Sequence, residues 1–139
     1  MKSFLKQIQE SHLPDSLLPA MKDLQTRSLA AADTPFYRRS SHLLILYYNF
    51  KGEYKLGFEE GEAFLRQTTA MADSVGIGKA HFDLSELYNS IGKNEDRLRH
   101  LLKASEMPMS PTMRFTVYMG IGEVLALDSK YGEAGVLEP

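Results

Sequence analysis

The chain has 139 residues, enough for one domain with a real hydrophobic core. Its 43% hydrophobic and 24% charged residues are ordinary for a soluble globular protein, and a net charge of −2 leaves no electrostatic footprint for nucleic acid. Cysteine is absent, which removes disulfides and thiol chemistry; the longest apolar run, 43–48, cannot span a bilayer, and the N-terminus lacks the apolar core of a signal peptide, so the simplest reading is a cytoplasmic protein.

Apolar spacing is helical almost throughout. Phe4, Leu5 and Ile8 predict a short first helix, broken at Leu13-Pro14-Asp15. Leu17, Met21, Leu24 and Ser28 share the stripe of a second, whose first turn tolerates Pro19. At Asp33-Thr34-Pro35 one helix stops and the next starts, with Thr34 as cap and Pro35 at the first helical position. That third helix carries Ser41, Leu44 and Tyr48 and ends at Gly52. A fourth follows at once, stepping through Tyr54, Phe58, Gly61, Leu65, Thr68, Ala72 and Val75, with Gly76-Ile77-Gly78 as its stop. His81, Leu84 and Tyr88 mark a fifth that ends at Gly92, and Asn94 caps a sixth bearing Leu98, Leu101 and Ala104. Pro108 and Pro111 break it. Ser110 caps a seventh with Phe115, Tyr118, Gly122 and Leu125, and Ser129-Lys130 predicts one more tight turn before a stub. No alternating segment of strand length appears, so the fold class is all-α, with loops short enough to make neighbours antiparallel.

The chain repeats itself. Leu44, Tyr48, Asn49 and Gly52 match Leu84, Tyr88, Asn89 and Gly92 at a spacing of 40 residues. A weaker copy, Ile121-Gly122, Leu125, Ser129, Tyr131 and Ala134, follows after 37. Gly52 and Gly92 fall just past a helix, where a left-handed backbone is cheap only for glycine. Ser85, Gly122, Gly57 and Ala134 are small enough to let helices approach. Each unit is a pair of helices that cannot bury its apolar stripe alone, which predicts stacking.

These residues resemble the tetratricopeptide repeat family. In the middle repeat His81 or Phe82 stands near the family's aromatic slot, Leu84-Ser85 replaces Leu-Gly, Tyr88 fills the Tyr slot and Gly92 the turn. Leu101 stands for the Phe, Ala104 for the second Ala, and Pro108 or Pro111 for the Pro. Arg97 in the first small-Ala slot, Ile45 for the small residue of the first repeat, and the long period depart from the pattern. Such longer units resemble the degenerate repeats at the front of bacterial signalling proteins, some with a GGDEF-type diguanylate cyclase behind them. The resemblance implies a short right-handed α-solenoid of antiparallel helix hairpins, with residues 1–34 as a helical cap and repeats at 35–75, 77–107 and, incomplete, 111–139. Phe115, Tyr118 and Leu125 then lack a cover, which predicts a longer protein or a pairing surface.

Catalytic and metal motifs are missing from the sequence. His12, His42, His81 and His100 form no HExxH or one-turn pair with carboxylates, and each reads as a partly exposed helix residue. Gly76-x-Gly78 and Gly120-x-Gly122 lack the context of a phosphate loop, and no nucleophile elbow occurs. Glu59, Glu60 and Glu62 read as a solvated face, and Arg38-Arg39 is too small a basic patch for nucleic acid.

The resemblance places first helices on a concave face. The stripe beside the core stripe is Arg39, His42, Leu46 and Asn49, then Lys79, Phe82, Glu86 and Asn89, then Met119 and Glu123. Asn49 and Asn89 recur in register and can either clamp a ligand through their amides or bond their own helix's last carbonyls. The expectation is a non-catalytic, cofactor-free module binding a protein or peptide segment within a bacterial signal-transduction protein. The alternative is a homodimerisation module that brings output domains together, using the C-terminal repeat. A deep apolar pocket would instead favour a small-molecule site.

Overall fold

A computed structural model describes residues 15–137, with side chains placed up to Leu127; the helix expected around Phe4–Ile8 lies outside the described residues. Six helices follow in order: α1 (Leu17–Ala30), α2 (Thr34–Lys51), α3 (Tyr54–Ala70), α4 (Ser74–Ser90), α5 (Asn94–Ser105) and α6 (Pro111–Leu137). Among the described residues there is no strand. Each helix packs against the next, and α2 also packs against α4, so the first helices of the first two hairpins touch as well as the partners within a hairpin. This is a stack of antiparallel helix hairpins.

The turns set the register. Positive φ occurs at Ala32 (55°), Gly52 (72°), Ala72 (53°) and Gly92 (75°), one residue in every twenty. At each, the following residue's N–H reaches back to a helix carbonyl at 2.9 Å: Asp33 to Ser28, Glu53 to Tyr48, Asp73 to Thr68, Lys93 to Tyr88. This closes the last turn in the six-to-one pattern and reverses the chain. Two such turns make the 40-residue unit. Alanine at two of the four corners adopts a conformation in which an L side chain costs roughly 1 kcal/mol, and Asp33 and Asp73 follow those two.

Several expected boundaries differ. The fourth predicted helix does not run to Val75: it ends at Ala70, and Gly76 and Gly78 lie buried inside α4. They serve close packing. A Cβ on Gly76 would come within 2.5 Å of the Thr68 methyl, and one on Gly78 within 2.9 Å of Met107 Cβ. The cap of α2 is Asp33, whose Oδ1 accepts the Phe36 N–H at 3.3 Å, with Thr34 already helical. Likewise Lys93, not Asn94, precedes α5. Ser110 caps α6 as expected, accepting the Met113 N–H at 3.2 Å. The turn expected at Ser129-Lys130 is not formed, because α6 continues through it to Leu137.

The core is two linked clusters. Tyr37, Ile45, Phe64, Leu84 and Leu87 fill the seam of α2, α3 and α4, and Leu101, Ala104, Val117 and Val124 that of α5 and α6. Gly57 and Gly61 bring α3 onto α4, since a Cβ at either would meet Leu87 or Leu84 at 2.9 and 2.7 Å. Arg97 occupies the small-residue slot by running under Gly120, where a Cβ would lie 3.5 Å from its Nη2. A Cβ at 120 would be crowded by Leu101 Cδ1, at 3.0 Å, more than by the guanidinium.

Candidate functional site

Helices α2 and α4, the 106–110 connection and the start of α6 enclose an open groove of about 600 Å³. That volume is within the range of sites that hold a ligand or a side-chain cluster of a partner. Arg38 and His42 enter from α2, Lys79, Phe82 and Asp83 from α4, and Met109 and Met113 from the far side. Gly78 allows the arrangement, for only a residue without Cβ lets Met107 lie directly on α4.

Two ion pairs tie α2 to α4 at this groove. Arg38 Nε and Nη2 donate to Asp73 Oδ2 and Oδ1 at 2.8 and 2.6 Å, a two-pronged bond that holds the Asp73 carboxyl below its usual range. His42 Nδ1 lies 2.8 Å from Asp83 Oδ1. The buried Asp83 carboxylate raises the His42 pKa, while burial raises that of Asp83 itself. Asp83 Oδ2 is buried with no hydrogen-bond partner among the described residues. The cost of that orphan oxygen makes the Asp83–His42 bond the main compensation for the buried acid.

The ten residues of the predicted stripe do not converge on one site. His42, Lys79 and Phe82 line the groove. Arg39 is exposed, with its guanidinium 5.9 Å from the Phe36 ring centre. Leu46 is half-buried. Asn49 Oδ1 accepts the Ser90 hydroxyl at 2.7 Å, a bond between the ends of α2 and α4; Asn89 is exposed. The recurring amide at 49 therefore ties two helices together, and it neither lines the groove nor needs its own helix's carbonyls. Glu86 is half-buried and its pKa is raised by burial, against the pull of Arg97. Glu123 accepts from Arg97 Nη2 at 3.0 Å, and Met119 is exposed.

Sequence reasoning set Arg38 aside as part of a small basic patch and passed over Asp73, Asp83, Met109 and Met113. One signal was available: Ala32-Asp33-Thr34 and Ala72-Asp73-Ser74 repeat at the same 40-residue spacing as the Tyr and Gly positions. That match would have placed Asp73 at a helix start.

A second polar cluster lies away from the groove. His81 Nδ1 and His100 Nδ1 are 2.9 Å apart and both residues are buried, contrary to the expectation of partly exposed histidines. His100 also stacks on Tyr88, ring centres 5.4 Å apart. For the pair to share a hydrogen bond one ring must carry its proton on Nδ1 and the other on Nε2. Burial, aided by nearby positive charge, lowers both pKa values to about 4. Among the described residues no group of three or more His, Cys, Asp or Glu side chains is arranged to hold a metal ion, and no helix is long and apolar enough to cross a membrane.

No protein-family model, curated protein or solved structure matches the chain.

Proposed function

We propose that the chain is a non-catalytic helical-repeat module that holds a segment of a protein or peptide in the groove between α2, α4 and α6. In this reading it is the sensory or regulatory part of a larger bacterial signal-transduction protein and works in the cytoplasm. The observation that carries it is the groove itself: an open concavity of about 600 Å³ with an apolar floor of Phe82, Met109 and Met113, beside side chains already fixed by ion pairs. A fixed polar frame costs little further ordering on binding. Methionines adapt to varied apolar groups. The reading is tested by selecting peptides from a random seven-residue library on the immobilised chain. Thr116 is exposed at the groove wall, so Thr116→Trp fills the space without disturbing the core. Peptides that bind the natural chain and are lost on Thr116→Trp support the groove. A selection yielding no such peptides overturns it.

A second reading has its own support. Phe115, Tyr118 and Leu125 on α6 are 66, 54 and 51% exposed, a stripe that favours self-association bringing attached output domains together, such as diguanylate cyclases. Light scattering decides it. A molar mass that rises with concentration, and stays at the monomer value in Phe115→Ser/Leu125→Ser, is the expected outcome for dimerisation.

A further inference from the structure

We propose that the groove selects a segment carrying one acidic side chain beside large apolar ones, with Lys79 as the residue that reads the acid. The inference rests on the peptide-binding reading and adds the chemistry of the peptide. It follows from accounting for every charge at the site. Arg38 is neutralised by Asp73 through two bonds, and His42 is bonded to Asp83. Lys79, exposed on the groove wall, has no ion-pair partner among the described residues. Two of the three hydroxyls on the far wall are engaged locally: Thr116 donates to the Thr112 carbonyl at 3.1 Å, and Ser110 accepts the Met113 N–H. A cationic ligand would meet Lys79 and Arg38, while Asp73 is bonded through both oxygens and the one Asp83 oxygen without a partner, Oδ2, is buried away from the surface. An uncharged ligand would leave the Lys79 ammonium as it is. An anion gains a partner and displaces none, and one unpaired lysine accounts for one charge.

The apolar requirement comes from the rest of the lining. Val75, Phe82, Met109 and Met113 are half-buried around the groove, so a partner side chain that covers them removes apolar surface already partly dehydrated. A segment of chain is the occupant, as in the reading on which this proposal rests, because the site is an open groove that a chain can cross.

The library selection tests this directly. Peptides lost on Thr116→Trp should be enriched in Asp or Glu next to Leu, Ile, Phe or Met. Resynthesis of one with Gln for its Glu should weaken binding roughly five-fold at low salt, the size of a solvent-exposed ion pair, and the gap should close at high salt. Lys79→Ala should erase the Glu-over-Gln preference, and Lys79→Glu should reverse the preference to Lys. Groove-dependent peptides with no acidic enrichment, or a Glu preference that survives Lys79→Ala, overturn the proposal while the groove reading stands. Decanoate offers the same carboxylate and apolar body without a peptide. If it binds as tightly as the selected peptides with the same Lys79 dependence, the free acid is the ligand class and the peptide assignment is overturned.

Discussion

Helices α4 and α6 carry matching residues in different surroundings. At an offset of 37, His81, Leu84, Ser85 and Tyr88 of α4 correspond to Tyr118, Ile121, Gly122 and Leu125 of α6. On α4 the first three are buried, with α5 on one side and α2 and α3 on the other. On α6 only the face toward α5 is closed, by Val117 and Val124, while Phe115, Tyr118 and Leu125 face outward. Nearly the same pattern therefore yields a core in one place and a surface in the other. In a stack, burial is set by how many neighbours a helix has, because each unit touches only those beside it.

The largest expected effect tests that difference. Leu84 is 0% exposed, so Leu84→Ala should cost about 2–5 kcal/mol of folding stability. Leu125→Ala, at a half-exposed site, should stay within about 0.5 kcal/mol. Urea denaturation of both variants measures the gap. Equal losses would mean that α6 is covered in solution, which would favour self-association.

The second test uses protons. His81 on α4 is covered by His100 on α5, whereas its counterpart Tyr118 has no such cover. Both histidines titrate at about 4 when folded, against an ordinary value of 6.5. Between those values the unfolded chain binds more protons, so stability should fall as pH drops from 6.5 towards 4 and level off below. The expected loss is on the order of a few kcal/mol, read as a falling denaturation midpoint, and replacing both residues by Leu should flatten the curve. His42 has the opposite sign. Its pKa is raised by Asp83, so its contribution is complete below 6.5 and is lost as pH rises through the folded value. A wild-type midpoint that is level from neutral pH down to about 4 would contradict the burial of the His81–His100 pair.

How far the fold was legible in the sequence depends on whether a residue has one structural use or two. The all-α class and the corners at Gly52 and Gly92 could be read directly, because a glycine after a long helical stripe has a single common explanation. The corners at Ala32 and Ala72 were hidden, since nothing about alanine signals a left-handed backbone. Gly76 and Gly78 were misread as a stop because glycine also serves close packing, and only the positions of Thr68 and Met107 decide between the two. At the groove, His42, Lys79 and Phe82 stand on a stripe that helical spacing and the family resemblance together picked out. Arg38–Asp73 and His42–Asp83 did not, because residues 35 and 41 positions apart meet only once α2 is laid on α4. Arg97 looked like a departure from the repeat; its partner is Glu123, 26 positions away on α6, which only the packing of α5 on α6 brings within reach.

The smallest effect is also the sharpest comparison, because one substitution should change sign between the two seams. Gly61 on α3 faces α4, and a Cβ there would lie 2.7 Å from Leu84 Cδ2 and 3.3 Å from Cγ. Leu84 is fully enclosed and has little room to yield, so Gly61→Ala should cost about 1–3 kcal/mol through overpacking, offset in part by roughly 1 kcal/mol of helix propensity. Gly122 on α6 has nothing within 4 Å of the same position. There Gly122→Ala keeps only the propensity gain and should stabilise the chain by up to about 1 kcal/mol. Thermal melts of the two variants at low protein concentration should shift in opposite directions. If Gly122→Ala destabilises instead, and does so more as concentration rises, then a second helix approaches α6 at this glycine, and the uncovered seam is an interface.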